Sequence, residues 1–309
     1  MNSALIVPFI VTLVAASTPI LLAALGELVV EKSGVLNLGV EGMMLIGAMT
    51  TAAVMLTTGN PYLAIGSAAL AGAFAALLFA VLTLSLSANQ VATGLALTIL
   101  GTGLTALVGR PFTGQPVPTL GPLFPPALAN DPIWRVIFGY SPLVYLSLAM
   151  VVAVWFFLMR TRSGLILRAI GESDTSAHSI GYPVIGVRYL AVLFGGAMAG
   201  IGGACFPLML TPQWAERLTA GRGWIALALV VFAAWRPYRL LAGAYIFGLL
   251  MTLEVYAKTS GGGFRIFPSE FWAALPYLAT ILVLVLISLS RKGSTSAPAC
   301  LGKPFSPAG

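Results

Sequence analysis

Nine apolar runs, most of them long enough to cross a bilayer as a helix, follow one another along this chain and leave little that could face water. They are 4–25, 40–58, 62–87, 90–109, 140–159, 188–210, 223–235, 239–257 and 271–290. A helical span needs about 20 apolar residues. Only 8% of the residues are charged, against about 25% in a soluble domain. In hydrocarbon every backbone N–H and C=O must be satisfied within the protein, so continuous runs of this length read as helices. The expectation is an all-α polytopic transmembrane helix bundle of eight to ten spans. The seventh run is short. Glycines 34, 39 and 42 after the first run predict a broken or re-entrant segment near 27–42. Residues 1–292 read as one membrane domain. The Ser-, Pro-, Gly- and Ala-rich tail 293–309 reads as disordered. No Lys or Arg precedes Lys32, and the first run is too long for a cleavable leader, so it reads as a span.

The net charge of +7 sits beside the spans. That pattern fits positive-inside loops and lipid headgroups, not nucleic acid. With nine spans, Arg160–Arg188, Arg236/Arg239 and Arg291/Lys292 fall on one side, the cytoplasmic one. The stretch Arg160–Arg188 is a polar island holding four of the 16 basic residues, two of the nine acids and the sole histidine, His178. Taken alone it is either an ordinary positive-inside loop or a handle for a cytoplasmic partner.

Polar groups at membrane depth are costly and tend to mark function. Glu27, Glu31 and Glu41 lie between the first two apolar runs, with Asn37 four residues before Glu41. Two readings stand: a translocation-path or gating element at Asn37 and Glu41, or an interfacial loop whose acids face water. The fourth span opens with Asn89-Gln90. On a helix, Gln90, Gly94, Thr98, Gly101 and Thr105 fall within roughly 80° of one another, and Thr93 lies nearby. This stripe either lines a passage or packs a neighbour. Rows of small residues (Ser67, Ala71, Ala75; Gly195, Ala199, Gly203; Gly196, Gly200) predict close helix packing. Trp214, Trp224, Trp235 and Trp272 near span ends predict an aromatic belt.

Several chemistries are excluded. Gly302-Lys303 runs into Pro304, so no phosphate-binding P-loop is present. One histidine and two unrelated cysteines, Cys205 and Cys300, offer no metal-ligand spacing. No nucleophile–base pair suggests a catalyst. The expectation is a chain with no catalytic or metal site and no cofactor of its own.

The strings SGVLNLGVEGMMLIGA (33–48), NQVATGLALTILGTGL (89–104) and LRAIGESDTSAHSIGYPV (167–184) resemble permease subunits of ABC importers. The branch is the one that holds ribose-type and branched-chain amino-acid permeases. Within it, VLNLGVEGMM and NQV-x-x-GLALT are most similar to permeases of nucleoside uptake systems. The similarity runs from about Thr18 to Leu289. It implies that the island 160–188 is the coupling loop that docks on an ATPase. The family pattern E-A-A-x-x-x-G falls on Thr175–Gly181, where Ala177 and Gly181 match and Thr and Ser replace Glu and Ala. The resemblance implies coupling roles for Arg168, Gly171, Glu172, Ser176, Ala177 and Gly181. Gly181 is expected to end a short helix in a left-handed cap, with Pro183 blocking its resumption.

The expected protein is then a multi-pass permease of the bacterial inner membrane. Its implied partners are a separate ATPase subunit that binds ATP, a second permease (a related chain in a heterodimer), an external binding protein or lipoprotein, and membrane lipid. The substrate pathway is expected at Asn37, Glu41, Asn89, Gln90, Thr93 and Thr98. Nucleosides are the first substrate choice and simple sugars the second. An ion-coupled secondary transporter using Glu27–Glu41 is a further alternative, whose mark would be paired broken helices.

Overall fold

The computed structural model describes residues 3–129, 131, 134–259, 268–289 and 297–305. Among these residues the regular elements are helices: α1 (Ser3–Lys32), α2 (Val40–Thr58), α3 (Pro61–Ala80), α4 (Gln90–Val108), α5 (Pro142–Arg160), α6 (Arg162–Glu172), α7 (Asp174–Ser179), α8 (Val184–Cys205), α9 (Arg222–Phe232), α10 (Pro237–Thr259) and α11 (Ser269–Leu289). Only short helical turns interrupt the connection from α4 to α5. Seven described spans are long and apolar enough to cross a membrane. The all-α polytopic bundle expected from the apolar runs is what the chain forms.

Local chemistry fixes many of the ends. Gly59 closes α2 in a left-handed conformation, its N–H donating to the Met55 carbonyl. Asn60 then caps α3 by accepting from the backbone N–H of Tyr62 and Leu63, and Pro61 takes the first helical position. A π turn at Phe206–Leu210 extends α8. It contains Pro207, whose missing N–H would break an ordinary helical ladder.

The central post is α8, which packs on α1, α2 and α3. Glycine is required where these backbones touch. A Cβ on Gly200 would overlap the Ala68 carbonyl, one on Gly203 the Met44 carbonyl, and one on Gly72 the Gly196 carbonyl. Lipid tails are as apolar as leucine, so helix association in a bilayer relies on such close fits. Of the expected rows, the Gly195–Gly203 face does this work. On α3 the closest approach comes from Gly72, next to the Ala71 of the expected row.

The structure departs from the sequence reading in three places. The helix that begins in the first apolar run continues to Lys32, so Glu27 and Glu31 belong to α1, buried at 1% and 2% exposure. The break is confined to 33–39. The seventh run forms only an eleven-residue helix, α9, preceded by an irregular segment from Thr211 to Gly221. A second broken element therefore exists that the apolar pattern did not reveal. Finally, residues 297–305 of the tail expected to be disordered lie against the bundle. Cys300 N–H donates to the Gly171 carbonyl and Gly302 N–H to that of Gly34. Apolar Cys300, Leu301 and Phe305 are what anchor it.

Candidate functional site

The two broken elements meet. Segment 33–39 is held by side chains instead of a helical ladder. Leu36 N–H donates to Gln90 Oε1 at 2.8 Å, Asn37 N–H to Glu27 Oε1 at 3.2 Å, and Gly39 N–H to Asn37 Oδ1 at 2.9 Å. Thr98 donates to the Leu38 carbonyl at 3.1 Å. Gly94 and Gly101 let α4 lie directly on this backbone, against Leu38 and Gly42. The polar stripe of α4 thus replaces the missing ladder for the broken segment, which is how irregular backbone is tolerated inside a membrane bundle.

The first turn of α2 then delivers Glu41 to the start of α9. Its Oε1 accepts from Thr219 Oγ1 at 2.5 Å and Gly221 N–H at 2.8 Å, and its Oε2 accepts from Gly223 N–H at 2.6 Å. The two backbone donors, Gly221 and Gly223, belong to the helix N-terminus, and the positive end of the α9 dipole favours the carboxylate. Gly223 has no alternative here, because a Cβ would lie 2.6 Å from Glu41 Cα. Glu41 sits one residue from Gly42, which touches Gly101 midway along α4, so the junction lies in the interior of the bundle.

Beside this junction is a cleft of about 570 Å3, lined by Glu41, Thr98, Thr102, Arg217 and Trp224 among others. That is within the range of small-molecule sites, about 300–1,000 Å3. Arg217 and Ala220 on its wall hold positive φ, 55° and 49°. Non-glycine residues in that region are uncommon and gather where the surroundings enforce a shape. Ile99 of α4, 74% exposed, also lines the cleft, which therefore reaches the outer face of that helix.

Of the expected pathway residues, the structure brings Glu41 and Thr98 to this cleft. Asn37 is fully buried, Gln90 is committed to Leu36, and Asn89 caps α4 by accepting from Ala92 N–H at 3.0 Å. Thr93 lines a different cleft between α3 and α4. Sequence reasoning missed Thr102, Arg217, Thr219 and Trp224. The one available signal was the polar run TPQWAERLTAGRG ahead of an apolar segment too short to span. The aromatic belt is also corrected: Trp214 and Trp235 are buried, and Trp235 Nε1 donates to Glu31 Oε2 at 2.6 Å.

At one end of the bundle the island folds into α6 and α7. Thr161 and Ser173 cap them. Gly181 takes φ +92°, and its N–H and that of Tyr182 return to the His178 and Ala177 carbonyls, the two bonds of a Schellman cap. The expected left-handed end is present. Ser176, His178, Ser179 and Gly181 face outward, as does Ile180 at 73% exposure. Ala177, expected on the docking surface, instead faces inward against Ile170 and Val184. Gly171 abuts the Lys32 carbonyl, Arg168 is half-buried, and Glu172 is exposed.

Residues 9–286 match the family described as branched-chain amino acid transport system, permease component. The chain belongs to this family. It is also similar to the nucleoside ABC transporter permease protein NupC of Lactococcus lactis, 33% identical over 87% of this chain and 89% of that one. The guanosine ABC transporter permease protein NupQ of Bacillus subtilis is 32% identical over 95% and 94%. The putative glucose ABC transporter permease protein TsgC13 of Haloferax volcanii is 46% identical over 80% and 76%. This permease is accordingly a multi-pass transport subunit of an ABC importer in the bacterial inner membrane. Membership in that family implies an ATPase and a substrate-binding partner.

Proposed function

We propose that this permease admits nucleosides to the cytoplasm, through a pathway that passes the Glu41 cleft. One observation carries the reading: an open cleft of suitable size, walled by an aromatic ring, hydroxyls and a cation, at the meeting of two broken helices. Trp224 offers a stacking face for a base, while Thr98, Thr102 and Arg217 offer hydrogen bonds to ribose hydroxyls and base edges. Glu41 already accepts three hydrogen bonds. Its role is to hold the loop 217–224 in place. Two nucleoside or guanosine permeases similar over most of the chain support this substrate class.

The exposed face of α4 is where a second permease, a related chain, would close the pathway. ATP is bound and hydrolysed by the partner ATPase, which docks on the outward face of α7 with Ile180 as its apolar contact. Arg168, Gly171 and Glu172 support that helix from α6, with Ser176 and Gly181 on its exposed side.

The 46% identity to a putative glucose permease favours a second reading, in which the cleft takes a simple sugar. The test is uptake of labelled guanosine, adenosine and glucose by the complete transporter in proteoliposomes loaded with ATP. Nucleoside uptake supports the first reading, and glucose uptake alone supports the second. Uptake that continues without ATP and collapses with a protonophore would falsify both.

A further inference from the structure

Arg188 lies near the start of α8, in its second turn, and is 1% exposed. Its Nη2 lies 3.0 Å from Asp174 Oδ2, and its Nε donates to the Ser33 carbonyl at 3.0 Å. One guanidinium therefore joins the first residue of α7 to the first residue after α1. Asp174 is fixed in turn, since its Oδ1 accepts from Thr175 N–H at 2.8 Å. The ring of Phe305 lies 5.9 Å from the Arg188 guanidinium carbon and 5.5 Å from the His178 ring, so it covers the guanidinium. The Arg188 and Asp174 side chains are 1% and 11% exposed, and a charge pair so far removed from water is strong and directional.

As a device for stability alone this pair is a poor choice. Removing two charges from water costs about what their attraction returns, and apolar residues of similar volume stabilise as well or better. Among the described residues Arg188 Nη1 has no hydrogen-bond partner, a further cost. What a planar fork supplies and an apolar contact cannot is a fixed geometry between two separate elements. The elements joined here are α7 and segment 33–39. The chain runs from Ser33 through Asn37 to Glu41, and Glu41 grips the start of α9. Gly171 against the Lys32 carbonyl and Gly302 N–H on the Gly34 carbonyl strengthen the same joint.

We propose that Arg188 is a positioning residue for transport: it ties α7 to the broken segment 33–39, so that displacement of α7 is delivered to the Glu41 cleft. This rests on the reading of α7 as the ATPase docking helix. Arg188→Lys keeps a positive charge beside Asp174. An ammonium lacks the fork needed to hold both Asp174 and the Ser33 carbonyl. Asp174→Asn breaks the ion pair from the other side.

The experiment uses the complete transporter. In both variants the ATPase should still copurify, and basal ATP hydrolysis should stay within about twofold of native. Uptake, and stimulation of hydrolysis by the substrate-loaded binding protein, should fall about tenfold, the scale of a coupling free energy between sites. Loss of packing alone would lower assembly and basal hydrolysis together and would not produce this split. If either variant accumulates and transports within about twofold of native, the proposal is overturned. If neither accumulates, Arg188 serves folding and the proposal is likewise overturned. Ile180→Asp separates the underlying reading: normal ATPase capture and uptake in that variant remove α7 as the docking helix, whatever Arg188 does.

Discussion

Glu41 caps a helix from which it is separated by most of the chain: its Oε2 accepts the backbone N–H of Gly223 at 2.6 Å. The pair joins the beginnings of α2 and α9, two helices that both start inside the bundle. Glu41→Gln keeps the volume but removes the charge and aims an amide donor at backbone donors. Hydrogen bonds to a charged group are worth about 1.5–3 kcal/mol each, and the unmet N–H groups add their own cost. The variant should lose about 3 kcal/mol of stability. It should also lose most transport while still reaching the membrane. Thermal unfolding in detergent and vesicle uptake check this, and native values for both would remove Glu41 as the capping group.

The order of the long apolar helices could be read directly because bilayer thickness and backbone satisfaction leave so few options for an apolar run. Gly59, Asn60 and Pro61 marked a turn by local chemistry alone. Glu41 stood out because an acid among apolar residues demands an explanation. Its partners lie 178 to 182 residues away and bond largely through backbone, which no side-chain pattern advertises. The α4 stripe was visible as a pattern, yet passage and packing share it. Only the facing backbone of Leu36 and Leu38 decides that Gln90 and Gly94 serve packing while Thr98 also reaches the cleft. The tail misled because its composition resembles that of disordered segments, whereas three apolar residues are enough to seat it.

Trp224 lines the cleft together with Thr98 and Thr102 and is only partly buried. Trp224→Ala should therefore raise the KM for uptake while leaving accumulation and ATPase capture unchanged. Stacking of a base on an aromatic ring is worth about 1–3 kcal/mol, so the increase should be about tenfold or more. Trp224→Phe should restore most of the affinity. Uptake kinetics over a range of nucleoside concentrations separate the cases, and an unchanged KM in the alanine variant would place the substrate elsewhere.

Gly181 has φ +92° and open space around it, so a side chain there would meet strain and no clash. Gly181→Val should cost about 1–2 kcal/mol locally and unwind the Schellman cap that sets the direction of Ile180. The variant should insert normally but bind the ATPase weakly, with uptake reduced in proportion. Copurification of the ATPase with the tagged permease is the direct readout. Full capture would show that the cap is dispensable for docking.

Gly200, buried at the α3–α8 contact, and Gly66, exposed on α3, make an internal comparison. A Cβ at Gly200 would overlap the Ala68 carbonyl, whereas one at Gly66 meets nothing within 4 Å. Gly200→Val must push α8 away from α3 and α2, a backbone shift that costs about 1–3 kcal/mol or more in a close-packed core. Gly66→Ala removes backbone freedom from an unfolded helix and adds no contact, which stabilises by about 0.4–1 kcal/mol where the conformation is compatible. The valine variant should accumulate poorly and melt several degrees lower in detergent. The alanine variant should match or exceed native. Equal stability of the two variants would mean that the α3–α8 glycine contact does not govern packing of this bundle.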